Sequence, residues 1–109
     1  MTRSTHRFDL VLTRRPVERL GRHATAESTA VRVEAALDGD PCPVVGPALA
    51  AAGRLLAGAD LTGWFPDPLL PAIARWLDGR LRPVAEAAGR RLLFCAATTP
   101  SLRCEFSPD

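Results

Sequence analysis

The chain has 109 residues, 47% of them hydrophobic and 24% charged, with a formal net charge of +2. That composition argues against disordered and fibrous classes and fits a single small domain. Lys, Asn, Gln and Tyr are absent, so all 14 basic residues are Arg, which excludes a Schiff-base or phosphate-loop lysine and leaves few neutral polar groups for a catalytic site. A high-GC, bacterial-like codon bias accounts for the same absences.

The charge is unevenly spread. Residues 1–23 hold six Arg against Asp9 and Glu18, residues 24–79 hold three Arg against seven acids, and residues 80–109 hold five Arg against three acids. A basic head and an acidic middle are expected to neutralise one another within the fold or between identical subunits. The first residues carry Arg3 and Arg7 without an apolar core, and the weakly charged stretch 41–53 is short and proline-rich. A cytoplasmic protein without a membrane span is the expectation, with residues 1–6 as a flexible terminus.

Phe8, Leu10 and Leu12 alternate with Asp9, Val11 and Thr13, the period of a half-buried strand, so a strand is predicted over 7–13. Over 29–37, Val31, Val33, Ala35 and Leu37 face one way and Arg32 and Glu34 the other. Ala26, Ala30, Val33 and Leu37 also satisfy helical spacing, and the Val-Arg-Val run tips the reading towards strand. Asp38-Gly-Asp-Pro-Cys-Pro is a turn.

From Pro47, apolar residues recur at three- and four-residue steps through Leu49, Ala52, Leu55, Leu56 and Ala59, which predicts a largely buried helix. Gly53 and Gly58 disfavour a helix interior, so they point to close packing against another element or to a helix end near Gly58. A loop over 60–66 follows. Asp67 and Pro68 supply a cap and first position for a second helix whose stripe is Leu70, Ile73, Trp76 or Leu77, and Leu81. Pro83 predicts a kink or restart, and Gly89 a C-terminal cap. The apolar run 91–97, the turn Thr98-Thr-Pro-Ser and the alternating Leu102-Arg-Cys-Glu-Phe form a hairpin. Pro100 excludes a two-residue type I′ turn centred on Thr99-Pro100. Pairing Ala97 with Leu102 sets Cys95 opposite Cys104; the slipped register, with Phe94 opposite Cys104, buries more apolar area and is preferred. The sum is an α+β fold of order ββααββ, a mainly antiparallel sheet with two to three central helices on one face.

Few residues carry chemistry. Cys42, Cys95 and Cys104 are expected as reduced thiols. Cys42 precedes a helix, where a thiol is activated if a base lies nearby, but neither His6 nor His23 is placed beside it by sequence. His23 and Glu27 share a helical spacing that no further ligand completes, so no metal is expected, and nothing points to a cofactor. Arg14, Arg15, Arg19 and Arg22 could neutralise phosphates, although only Phe8 offers a base a stacking surface nearby. Trp64 and Phe65 put two large aromatics in one loop, where a partner could dock. The last strand is expected at a sheet edge, where Arg103 of one copy could meet Glu105 of another across a two-fold axis. The expectation is a non-catalytic accessory or adaptor module that acts through protein contacts and self-associates as a homodimer. The alternatives are an Arg-mediated nucleic-acid binder and, third, a thiol-dependent enzyme centred on Cys42.

Overall fold

The computed structural model describes residues 2–14, 27–58 and 69–108. Its elements follow the expected order: β1 (Arg3–Arg14), β2 (Glu27–Asp38), α1 (Val45–Gly58), α2 (Leu69–Ala87), β3 (Leu92–Thr98) and β4 (Arg103–Phe106). The described strands form a four-stranded antiparallel sheet in the order β1-β2-β3-β4, and both helices lie on one face of it, α1 chiefly over β1 and α2 over β3 and β4. Neither described helix is long and apolar enough to cross a membrane.

The segment 29–37 is strand, and its alternation explains why. Val31, Val33, Ala35 and Leu37 are all buried on the helix side, opposite Leu10, Phe8, His6 and Ser4 of β1 respectively. A helix would have set Arg32 or Glu34 into that core, whereas a pleat sends both to the other face. β1 begins at Arg3 rather than Arg7, so residues 3–6, expected as a loose terminus, pair with β2 from Ala35 to Asp38.

The core is filled from the helices by Val45, Leu49, Ala52 and Leu56 of α1 and by Leu70, Ile73, Leu77 and Leu81 of α2. The stripe of α2 therefore runs through Leu77, with Trp76 half-buried at its margin. Gly53 is the close approach its position implied: a Cβ there would lie 2.2 Å from Cδ1 of Phe8.

The described residues form two helices, and the restart expected at Pro83 does not occur, because Pro83 lies inside an unbroken α2. The proline removes one amide and crowds the carbonyl four residues earlier, which here belongs to Gly79. Both residues sit on the exposed side of α2, so the freed carbonyl faces solvent rather than the core. The helix ends as Gly89 required, at φ +70°. The Gly89 amide donates to the Glu86 carbonyl at 2.9 Å and the Arg90 amide to the Ala85 carbonyl at 2.8 Å, the paired bonds of a Schellman cap.

The β3–β4 hairpin takes neither register considered from sequence. Ala97 pairs with Cys104 and Cys95 with Phe106, across a four-residue connection closed by the Thr99 amide to the Leu102 carbonyl at 2.8 Å. The preferred pairing of Phe94 with Cys104 is thus overturned. Cys95 and Ala97, both fully buried, face α2, where small side chains leave room for the leucines of the helix. Phe94 lies on the opposite face under the guanidinium of Arg3, 5.3 Å from its ring centre. Helix packing, not the area of one aromatic ring, selects the face.

Candidate functional site

The face of the sheet away from the helices carries alternating charge. In rows across the strands, Arg7 stands opposite Glu34, which stands opposite Ala96 and then Glu105; in the next row Asp9 stands opposite Arg32, then Thr98, then Arg103. Glu34 is the hub. It is only 7% exposed although neither described helix lies on this face, because arginine side chains from both sides lie against it. Arg103 Nη1 donates to Glu34 Oε2 at 3.0 Å and to the Thr98 hydroxyl at 3.2 Å, while Arg7 Nε stands 3.6 Å from Glu34 Oε1. Arg103 also donates from Nε and Nη2 to Glu105 Oε1 at 3.1 and 3.0 Å. The pairing expected between Arg103 and Glu105 of two copies is therefore made within one chain. Glu34, then Glu105, hold the Arg103 guanidinium above its ordinary pKa.

Arg32 Nε donates to Asp9 Oδ1 at 2.8 Å, which lowers the Asp9 carboxyl pKa and raises that of Arg32. The same face hides Ala36 and Ala96, both fully buried. Beside this array, where β2 runs past the end of β3, an open notch of about 450 Å³ is lined by Asp9, Arg32, Glu34 and Arg103 together with Thr98 to Pro100 and Ala30.

Both edges of the sheet present backbone groups. The Gly39 amide donates to the Thr2 carbonyl in register with Arg3 opposite Asp38. Even-numbered residues of β1 therefore bond to β2, and the amides and carbonyls of Arg3, Thr5, Arg7, Asp9, Val11 and Thr13 point away from it. At the other edge Thr99 and Leu102 exchange bonds, so the backbone groups of Arg103 and Glu105 point away from β3.

The thiols are differently placed. Cys42 is 3% exposed, and the fold brings it to His6, a neighbour that sequence spacing did not indicate. The contact runs from the Cys42 backbone amide, which donates to His6 Nε2 at 3.2 Å. That bond occupies the imidazole lone pair a general base would use. Cys95 is pushed up to about 12 by burial, with the Asp78 carboxylate adding to the rise and Arg82 opposing it. Arg14 closes β1. Arg15, Arg19, Arg22, Trp64, Phe65 and the caps Asp67 and Pro68 lie outside the described residues.

Comparison with known proteins adds no assignment: no protein-family model matches the chain, and no curated protein is significantly similar to it. Sequence reasoning missed Glu34 as a hub and His6 as a neighbour of Cys42. Opposite charges at Arg7, Asp9, Arg32 and Glu34 were a usable signal for the first. The second depends on where α1 starts, which nothing local in the sequence marks.

Proposed function

We propose that this protein is a small accessory or adaptor module without catalysis of its own, acting in the cytoplasm through protein contacts and by self-association. The observation that carries this reading is the pairing of a charge-balanced open face with two sheet edges whose backbone groups point outward. Such edges recruit further strands. The arginines of the open face support it as well, because Arg7, Arg32 and Arg103 are each engaged by a carboxylate of the same chain rather than held for phosphates. The thiol alternative finds less support in a buried Cys42 whose neighbouring imidazole accepts a backbone amide.

Light scattering on a sizing column at physiological salt, with the absorbance spectrum recorded across the peak, tests the reading. A mass above that of one chain, free of nucleic-acid absorbance, is expected. A monomer removes self-association from the proposal, and strong nucleic-acid absorbance would promote the arginine-mediated alternative. Replacing Trp64 and Phe65 together by Ala should abolish partner capture while leaving the circular dichroism spectrum unchanged; unfolding instead assigns those aromatics to the core.

A further inference from the structure

We propose that two copies of the chain pair through β1, antiparallel and about a two-fold axis at Phe8, so that Arg7 of each copy faces Asp9 of the other; this rests on the self-association proposed above. β1 offers the longer of the two described edges, twelve residues against four in β4.

Its register is selected by charge. Since the odd-numbered residues carry the outward backbone groups, a second β1 must pair odd with odd. Four registers overlap at least nine of the twelve residues of β1; the one centred on Leu10 sets Arg7 against Thr13 and Asp9 against Val11 and so matches no charges. Centred on Arg7, the pairing sets two guanidiniums face to face. Centred on Asp9, it opposes two carboxylates. Centred on Phe8, it pairs Arg7 with the second copy's Asp9 in both directions, sets Thr5 against Val11, and runs from Arg3 to Thr13. Like charges directly opposite on a sheet are destabilising and opposite charges stabilising, so only the last register is self-complementary.

The surroundings fit that register. Arg7 and Asp9 are 59% and 72% exposed at their side chains, so both can take a further partner. Across the join the open face would read Glu34, Arg7, then Asp9 and Arg32 of the second copy, alternating in sign along one row. Val11, 54% exposed, would gain the methyl group of a second Thr5. On the helix face the two Phe8 rings meet at a non-hydrogen-bonded pair, the closer kind of cross-strand position. An interface in which each copy contributes the same surface closes as a dimer.

The test joins two single variants, Thr5→Cys and Val11→Cys, each purified alone and then mixed under an oxidant such as copper phenanthroline. Opposed residues of a hydrogen-bonded pair lie about 5.5 Å apart at Cα, inside the disulfide range of about 4.4–6.8 Å. The mixture is expected to yield a covalent dimer on a non-reducing gel well above either variant alone. Val11→Pro gives an independent reading. Its lost amide points outward, so the β1–β2 ladder is kept, and the two-chain mass should fall to that of one chain with an unchanged dichroism spectrum.

A dimeric wild type whose mixed variants do not cross-link, or whose Val11→Pro form stays dimeric, overturns the β1 pairing and leaves self-association standing. A monomeric wild type overturns both. A mass of three or more chains overturns the two-fold arrangement in favour of head-to-tail joining of unlike edges.

Discussion

Gly53→Ala measures how closely α1 is seated on β1, and two opposing effects decide its sign. Alanine is favoured over glycine in a helix interior by about 0.5–1 kcal/mol. Against this, the added methyl would stand 2.2 Å from Cδ1 and 2.5 Å from Cε1 of Phe8, and an aromatic ring cannot bend away as the end of a flexible chain can. Overpacking of this kind costs about 1–3 kcal/mol. Since two ring atoms are overrun, the cost belongs in the upper part of that range, and the net loss should be about 1–2 kcal/mol. For a domain of this size each kcal/mol lowers Tm by about 4–8 °C. Gly79→Ala is the control, because a Cβ there meets nothing within 4 Å and only the propensity gain remains. Urea titration of both variants, with an unchanged m-value, gives the comparison. A Gly53→Ala protein as stable as wild type, alongside a stabilised Gly79→Ala protein, would refute the contact as the reason for glycine at 53. A Phe8→Ala background should remove the penalty, so that the two substitutions together cost less than their sum.

Three further outcomes are expected. Arg82→Ala should lower stability by about 3 kcal/mol, the low end for breaking a buried pair, because it strips Asp78, 6% exposed, of bonds at 2.7 and 3.0 Å and frees the Leu92 carbonyl; chemical denaturation reads this, and a cost below that of an exposed arginine substitution would count against it. In native protein at mildly alkaline pH, Cys104 should alkylate first and Cys95 should remain a thiol, since its pKa is pushed up to about 12 by burial; rapid labelling of Cys95 by mass spectrometry would contradict that burial. Asp9 should titrate below the ordinary carboxyl value of 3.8 because Arg32 donates to it. A carboxyl whose folded pKa is depressed contributes its stability above the unfolded pKa and loses it as pH falls through the folded one, so the contribution should fade below pH 3.8. Arg32→Ala should return the carboxyl resonance of Asp9 to ordinary titration in an NMR pH series.

Fold class was legible because each element announces its own period. The alternation of Val31, Val33, Ala35 and Leu37 survives as the buried face of β2, and Gly89 takes the left-handed conformation its place after α2 called for. What failed to show was anything decided between elements. The hairpin register depends on the space α2 leaves over Cys95 and Ala97. The continuity of α2 through Pro83 depends on which side of the helix faces water. The site was less legible still: the outward positions of Arg103 and Glu105 could be read, but not that the two would bond to one another and to Glu34. For β1 and β2 the register was present in the charges. Sliding the pair by two residues sets Arg7 against Arg32 one way and Asp9 against Glu34 the other, and only the observed pairing opposes unlike charges in both rows.

That register also matches charge between β1 and β2. The antiparallel pairing of β1 and β2 lays Arg7 onto Glu34 and, in the reverse sense, Asp9 onto Arg32, so among the described residues of these two strands unlike charges meet. Arg103 extends the matching from β4. A surface built in this way has little long-range field with which to steer a polyanion. It has instead a short-range pattern of alternating sign, which is informative only to a partner held in register a few ångströms away. A strand carrying the same pattern in reverse order is such a partner, and β1 of a second copy is one. The alternation that fixes the hairpin within one chain is thus the property that would fix the pairing between two, which is why changing Arg7 or Asp9 should disturb fold and assembly together, whereas Val11→Pro should disturb assembly alone.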